Sequence, residues 1–577
     1  MGRLIFPSTF LTLLLSVPFA SCSCPLYGPV FPIPTNLANS NVTQEALQTL
    51  TEAISTSFDA GNSSYGPVDS TAAYAIQVFS LDSETALWEY YHDGITLSNT
   101  TGVQKLDGDS IFRIGSISKL ITVYLILTEL GDSIWSDPVT KHIPELRNRT
   151  KSLGDSVNYV NWDQITMGAL AGHVAGLPRD FIDLFGLYAI QDPTFGLPIL
   201  SPSEYPACIL TETNYTCDRA AFFDAINDSY PSFLPNTKAT YSDTGIMLLG
   251  YAISSITGKP FEDILKTALI DPLGLTGTSF SKPEDTKGVI PFNITASEWA
   301  RDFGAAAPMG GLYASTNDLS KIGRSILNST LLDQNTTRAW LKPTAFTSSP
   351  LGFVGRPWEI FRAVDLGPSK RLIDLYTKSG EIGLYHTNLI VVPDYNIGFV
   401  TAVAGTGAHL FLDNLIVDTL FPAVEAVARE QAAAAYVGKF TAPKDLNLNS
   451  SVTFITDATL PGLGISEWVS NGTDFLAVLS SLGFGDITPD TLRLLPTNLE
   501  RATGNGTEVA WRMSLSFETQ SAKKGPFSAC DSWFNVDLLT LGKFAIDEFI
   551  FTLSGDGDEK AVSVDLRAFK VVLEREG

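Results

Sequence analysis

Ser116-Ile117-Ser118-Lys119 sets a hydroxyl three residues ahead of an amine. On a helix, positions i and i+3 share a face, so the lysine can take or hold the proton a serine loses when it becomes a nucleophile. The first turn of a helix also favours a developing oxyanion, through its unpaired N–H groups and the positive end of its dipole. Two later clusters carry the remaining parts of such a site. Tyr241-Ser242-Asp243 brings a phenol and a carboxylate, and Lys378-Ser379-Gly380 brings a cation and a hydroxyl beside a residue without a side chain. A nucleophile, a base, a cation and a place for close backbone approach are the parts of acyl transfer.

Rival chemistries have weaker signals. Ser279-Phe280-Ser281-Lys282 repeats the spacing but has no apolar run behind it. His92, His142, His173, His386 and His409 leave a Ser-His-Asp triad open by count, yet there is no G-x-S-x-G nucleophile elbow. The chain also lacks H-E-x-x-H and a glycine-rich phosphate loop, so neither a metal nor a cofactor is expected.

The elements that must position these residues are partly readable. Leu120, Ile121, Val123, Leu125, Ile126, Leu127 and Leu130 give the segment after Ser116 the apolar character of a buried helix. Ala73–Phe79 and Ala86–Tyr91 read as a hairpin about Asp82-Ser83, and strands return near 371–405, with Thr387–Val392 the clearest. Strands on both sides of a long, mainly helical stretch suit an α+β plan, an antiparallel sheet flanked by helices with a helical insertion. Residues 23 to about 68 read as an extended lead-in with one helical piece, Thr43–Phe58. The alanine-rich Ala423–Ala435 ends this region, and 436–577 reads as a β-rich domain, with Val509–Phe517 and Phe549–Leu553 among its strands.

Taken in chain order, the three clusters resemble the serine β-lactamase and penicillin-binding protein superfamily, where S-x-x-K, Y-x-N and K-[ST]-G line one cleft. The resemblance is closest to the class C β-lactamase and esterase branch. It extends to Leu170–Pro178, to Pro308–Leu319, and to Glu129–Asp132 with Asp137–Leu146. Tyr436-Val437-Gly438-Lys439-Phe440 is similar to the opening of the small β-barrel domain that often follows. The resemblance implies the β-lactamase/transpeptidase-like fold over 23–425. It also implies that Ser116 attacks a carbonyl, that Lys119 and Tyr241 move its proton, and that Lys378 orients Tyr241. The backbone N–H groups of Ser116 and Glu381 would form the oxyanion hole, with Gly380 allowing close approach and Ser379 beside it.

Two positions depart from that pattern. Asp243 stands in the place of an asparagine, and an ionised aspartate cannot donate to an amide carbonyl. Beside Lys119 it would hold the lysine charged, leaving Tyr241 the better base. Glu381 adds a carboxylate that disfavours anionic substrates. The expected activity is a serine hydrolase working through an acyl-enzyme on an ester or small amide, its partner a small-molecule acyl substrate. The alternatives are a transacylase in small-molecule biosynthesis and a non-catalytic binding protein on the same fold. The segment from Asp180 to Phe233, with Phe181, Phe185, Leu187, Tyr188 and Phe195, is where substrate choice would be set.

Composition narrows the setting. The 577 residues carry a formal net charge of −24, which repels phosphate backbones and anionic lipid heads, so no nucleic-acid or membrane partner is expected. Apolar content of 44% is enough for a sizeable core. Arg3, the apolar Leu11–Val17 and the small residues Ala20, Ser21 and Cys22 read as a signal peptide over 1–22. Twelve N-x-[ST] sequons agree with a secreted glycoprotein. Removal of the signal leaves Cys24, Cys208, Cys217 and Cys530; Cys208 with Cys217 is the natural pair, which leaves Cys24 either to pair with Cys530 or to remain, like it, a free thiol. Oligomeric state is not readable.

Overall fold

The computed structural model describes residues 25–147, 155–180, 194, 196–201, 204, 208, 214–226, 229–484, 487–504, 506–515, 532–555 and 559–577. Contacts gather the chain into two units. Among the described residues, one comprises Phe31–Gly367 and Leu372–Ala435; the other comprises Tyr436–Gly577 with Pro368–Arg371 and residues 25–30.

In the first unit, α1 (Asn41–Ala60) precedes the hairpin β1 (Ala73–Ser80) and β2 (Trp88–His92). A short strand, β3 (Ile111–Arg113), leads into α2 (Ile117–Leu130); α3 (Met167–Ala171) and α4 (Asp243–Thr257) follow, then β4 (Tyr313–Ser315) and α5 (Thr316–Leu327). The chain then runs through β5 (Ala345–Phe346), β6 (Gly352–Val354), β7 (Glu359–Leu366), β8 (Arg371–Ile382), β9 (Tyr385–Val392) and β10 (Ile397–Ala404) into α6 (Leu410–Tyr436). The sheet order is β2-β1-β10-β9-β8-β7-β6-β5. The first strands therefore meet the last ones, and the helices between them fall on one face.

Alternation along the strands sends side chains to two cores. Tyr74, Ile76 and Val78 of β1 and Ile390 and Val392 of β9 pack with Leu47, Leu50, Ile54 and Phe58 of α1 and with Phe411, Leu412, Ile416 and Leu420 of α6. Leu389 and Val391 of β9 and Val400 of β10 pack instead with α2, α4 and α5. In α2 every residue from Ile117 to Leu127 is buried, so an apolar stripe on one face would not suffice. Each such leucine or isoleucine contributes ~1.5–3 kcal/mol by leaving water. The helical piece expected at Thr43–Phe58 is thus present, but as part of the packed unit and not of an extended lead-in. The i, i+3, i+4 spacing of Leu47, Leu50, Ile54 and Phe58 makes α1 an outer layer of the sheet, capped by Ser40, whose hydroxyl accepts from Thr43 N–H.

Polar caps fix the two helices on which the chemistry depends. Ser242 Oγ accepts from Gly245 N–H at 3.0 Å and starts α4 immediately after Tyr241. Gly258, at φ 70°, ends it. Strands β8 and β9 turn over Gly383 (φ 54°) in the register Lys378↔Leu389, Ser379↔Asn388, Gly380↔Thr387 and Glu381↔His386.

The second unit is a ring of strands: β11 (Gly438–Thr441), β12 (Ser451–Ile455), β13 (Leu463–Ser470), β14 (Thr473–Asp474), β15 (Leu492–Thr503), β16 (Gly506–Leu515), β17 (Glu548–Ser554), β18 (Ala561–Leu566) and β19 (Val571–Arg575). Their order is β12-β11-β19-β18-β17-β16-β15-β13-β14, and β12 also pairs with β13, which closes the ring. Phe440, Phe454, Trp468, Phe549 and Phe551 fill it, in edge-on contacts such as Phe454 with Phe551 at 5.0 Å. Cys208 and Cys217 are joined, with S–S 2.08 Å, whereas Cys24 and Cys530 lie outside the described residues.

Gly380 is where β8 passes against the segment that leads into α2. A Cβ there would overlap the Ile114 carbonyl and stand 2.9 Å from Thr387 Oγ1. Gly380→Ala is expected to destabilise the protein by ~1–3 kcal/mol, as overpacking against fixed backbone does. Urea unfolding checks it: the midpoint should fall with little change in slope, and a midpoint equal to the parent's would refute the contact.

Candidate functional site

Ser116 is the N-cap of α2, but its hydroxyl makes no capping bond. It accepts instead from Lys119 Nζ at 2.7 Å. The ammonium has two further acceptors, the Met309 carbonyl and Asp243 Oδ1 at 2.5 Å, so its three donors meet three oxygens. Lys119 is 1% exposed. Burial alone would push its pKa down, but the facing Asp243 and Tyr241 outweigh burial and hold it above the ordinary lysine value. Asp243 moves the other way: burial opposes its charge, Lys119 overrides, and its carboxyl is held below the usual range.

Asp180, the neighbour of Asp243, is pushed up to about 8 by burial and by that like charge. Arg179 Nε lies 3.5 Å from Asp180 Oδ2 and 4.0 Å from Asp243 Oδ2. The Arg179 carbonyl accepts from the N–H groups of Asp243 and Thr244, which ties this stretch to the first turn of α4.

Tyr241 sits among cations. Lys119 Nζ and Arg179 Cζ are each 5.0 Å from its ring centroid, and Lys378 Nζ is 5.3 Å away. Its other support is His173, stacked at 4.7 Å and 20°. His173 Nδ1 accepts from Ser242 N–H at 3.1 Å, which places the ring proton on Nε2. Burial, then Lys119 and Lys378, push this imidazole down to about 3, so it is a neutral platform and not a base.

Lys378 and Ser379 share one carboxylate. Glu359 Oε1 accepts from Lys378 Nζ at 2.5 Å, while Oε2 accepts from Ser379 N–H at 3.0 Å and from Ser379 Oγ at 2.7 Å. Burial works against the Glu359 charge, but Lys378 holds its pKa below the ordinary value. Gly115, at φ 47°, stands against the next residues of β8; a Cβ on it would be 2.6 Å from the Glu381 amide nitrogen. The Glu381 side chain is 73% exposed and 3.8 Å from His386 Nδ1.

Ser116, Lys119, Asp243 and Glu381 line one cavity of about 330 Å³, with Arg179, Arg301 and Phe303 in its walls. Tyr241 is held next to Lys119, and Lys378, Ser379 and Gly380 stand behind it with Glu359 and Ile114. The structure therefore brings together the residues of the three clusters, Ser116 and Lys119, Tyr241 and Asp243, and Lys378, Ser379 and Gly380, with Glu381. It adds Glu359, Arg179, Asp180 and the platform role of His173. A cavity of about 410 Å³ between Trp135, Trp340 and Arg356 is larger but has none of these groups.

The second S-x-x-K is a surface turn: Ser279 Oγ donates to the Ser281 carbonyl, and Lys282 Nζ pairs with Asp285 at 2.5 Å. Among the described residues no cluster of His, Cys, Asp or Glu is placed to hold a metal ion. Residues 181–193 and 195, where substrate choice was expected to be set, lie outside the described residues.

The Beta-lactamase family model matches residues 84–417. The chain belongs to that family. A second model, described as the C-terminal domain of Beta-lactamase-like-like proteins, matches residues 428–577. A "Beta-lactamase-like protein" of Arthroderma benhamiae is 31% identical, with 98% of this chain and 97% of the relative covered. A "Probable hydrolase M10" of Phoma sp. is 31% identical over 79% of this chain and 74% of its own. The solved β-lactamase/D-alanine carboxypeptidase of Yersinia pestis aligns at 21% identity over 68% of this chain and 99% of its own, with a TM-score of 0.46. The chain is thus a β-lactamase-like hydrolase of the serine type, with a β-rich C-terminal unit.

Within this family site the Lys119–Asp243 pair makes a pH prediction. Asp243→Asn removes the carboxylate that favours the charged lysine and leaves burial, which favours the neutral one. The alkaline limb of Ser116 labelling by a fluorophosphonate should therefore move to lower pH. Labelling profiles of parent and variant decide it, and superimposable profiles would refute the coupling.

Proposed function

We propose that the protein is a secreted serine hydrolase that forms an acyl-enzyme on Ser116 and acts on esters, with small amides as slower substrates. The observation that carries this reading is the 2.7 Å bond from Lys119 Nζ to Ser116 Oγ at the start of a buried helix. A charged lysine cannot accept the serine proton, but its ammonium stabilises the alkoxide as it forms. Tyr241, acting as a phenolate with Lys119, Lys378 and Arg179 around its ring, then takes the proton and becomes the neutral phenol. The serine oxygen bonds to the acyl carbon, and the carbonyl oxygen collects negative charge at the amides of Ser116 and Glu381. Tyr241 returns the proton to the leaving alcohol. Water, activated by the same phenolate, releases the acid and restores Ser116.

Asp243 supports the preference for esters. Its carboxylate accepts only, so it offers nothing to an amide carbonyl, and a departing alcohol needs less help than a departing amine. Secretion is supported by the signal-like start, by the Cys208–Cys217 bond and by the sequons: Asn41, Asn62, Asn99, Asn214, Asn293, Asn328, Asn335, Asn449 and Asn471 are all exposed.

The test is intact-mass analysis after a fluorophosphonate and a panel of activated esters. One adduct on Ser116 is expected, with Ser116→Ala folded, unlabelled and slower by several powers of ten. Turnover retained in Ser116→Ala would overturn the reading. Lys119→Ala and Tyr241→Phe should each cost nearly as much, and the double variant little more, because they serve one proton transfer. Losses that multiply would show separate roles.

A further inference from the structure

Glu359 stands on β7, one strand over from the K-S-G segment, between Trp358 and Ile360, both buried in the core that packs α2. Its carboxylate receives an ammonium, a hydroxyl and a backbone amide: Lys378 Nζ at 2.5 Å, Ser379 Oγ at 2.7 Å and Ser379 N–H at 3.0 Å. Charge-assisted donors converging on both oxygens make a complete carboxylate seat. Lys378 is 1% exposed, so water does little to compensate its charge, and Glu359 supplies the balance. The seat adjoins the reaction centre. Ser379 is two residues from Glu381, whose amide faces Gly115 next to Ser116, and Lys378 Nζ is 5.3 Å from the Tyr241 ring.

We infer that Glu359 is a specificity-determining residue, an internal carboxylate that fills the Lys378–Ser379 seat and restricts the cleft to substrates with no acidic group at that position. This rests on the serine hydrolase reading and adds the substrate class to it. An acidic acyl chain reaching Ser379 meets a seat already taken and a like charge in it. The exposed Glu381 carboxylate at the cavity adds a second one. Neutral acyl esters meet neither obstacle. Without the Glu359 carboxylate the same three donors would be open to an external carboxylate, and Lys378 would present an uncompensated charge beside Tyr241.

Two measurements on Glu359→Ala and Glu359→Gln test it. The first is the ratio of kcat/KM for p-nitrophenyl hemiglutarate to that for p-nitrophenyl butyrate. It should be low in the parent and rise at least tenfold in Glu359→Ala. The rise should be smaller in Glu359→Gln, where an amide still occupies the space. The second needs no turnover: sodium formate should raise the Tm of Glu359→Ala saturably above sodium chloride of equal ionic strength, with no such rise in the parent.

An unchanged ester ratio in folded Glu359→Ala, with no formate response, overturns the inference. If Glu359→Ala does not fold, a ratio in Glu359→Gln equal to the parent's overturns it. Failure of the underlying reading looks different: the parent would carry no fluorophosphonate adduct on Ser116, while formate would still stabilise Glu359→Ala if the seat is real.

Discussion

The buried ammonium of Lys119 is the constraint on which the rest of the site depends. Removing one such ion from water costs several kcal/mol even after relaxation, and only well-placed acceptors return it. Here the acceptors come from three places in the chain: the Ser116 hydroxyl, the Met309 carbonyl and the Asp243 carboxylate. Each is fixed by structure made for other reasons. Ser116 is delivered by an α2 buried on all sides, Met309 by the short helix Ala307–Gly310 before β4, and Asp243 by the Ser242 cap of α4. Displacing any one leaves a buried charge short of a partner, so the cleft geometry and the local packing are enforced together.

Charge alternates outward from that point. Asp243 balances Lys119; Asp180 adjoins Asp243 and carries a raised pKa, because it is buried and because a second anion beside the first is unfavourable; Arg179 lies near both carboxylates from the solvent side. On the other flank Tyr241 separates Lys119 from Lys378, and Glu359 balances Lys378. The neutral His173 beneath Tyr241 fits this order, since a third cation between two lysines would be opposed by both. Its ring is held by Ser242 N–H, the residue whose side chain also starts α4.

Much of this was legible in the chain because the chemistry is local. Ser116 and Lys119 are one turn apart and Tyr241 and Asp243 are two residues apart, so motif and apolar run together placed them. The consequence of Asp243 for Lys119 also followed from residue types alone. Glu359 was not legible: it is a single acid in an alternating strand, and its partnership with Lys378 comes from the pairing of two strands. Asp180 was legible only as the start of the segment where substrate choice would be set, because its raised pKa depends on burial. The helix α1 was undervalued for a related reason, since an amphipathic helix near a proline-rich stretch shows its partner only when the sheet is closed by β10 against β1. The ring of the C-terminal unit likewise depends on the pairing of β12 with β13 and of β11 with β19, which no local pattern announces.

The two lysines of the site are therefore not interchangeable positive charges. Lys119 donates directly to Ser116 Oγ and is held charged by the Asp243 carboxylate, so on the proposed reading it steadies an alkoxide but is a poor sink for its proton. Lys378 touches no reacting atom; one of its donors goes to Glu359 and another to the Ser379 carbonyl, and it acts on Tyr241 through space. With asparagine at 243, burial would favour the neutral Lys119 amine, which no longer steadies an alkoxide as an ammonium. On the reading proposed above, with aspartate there the base is the group between the two cations, Tyr241.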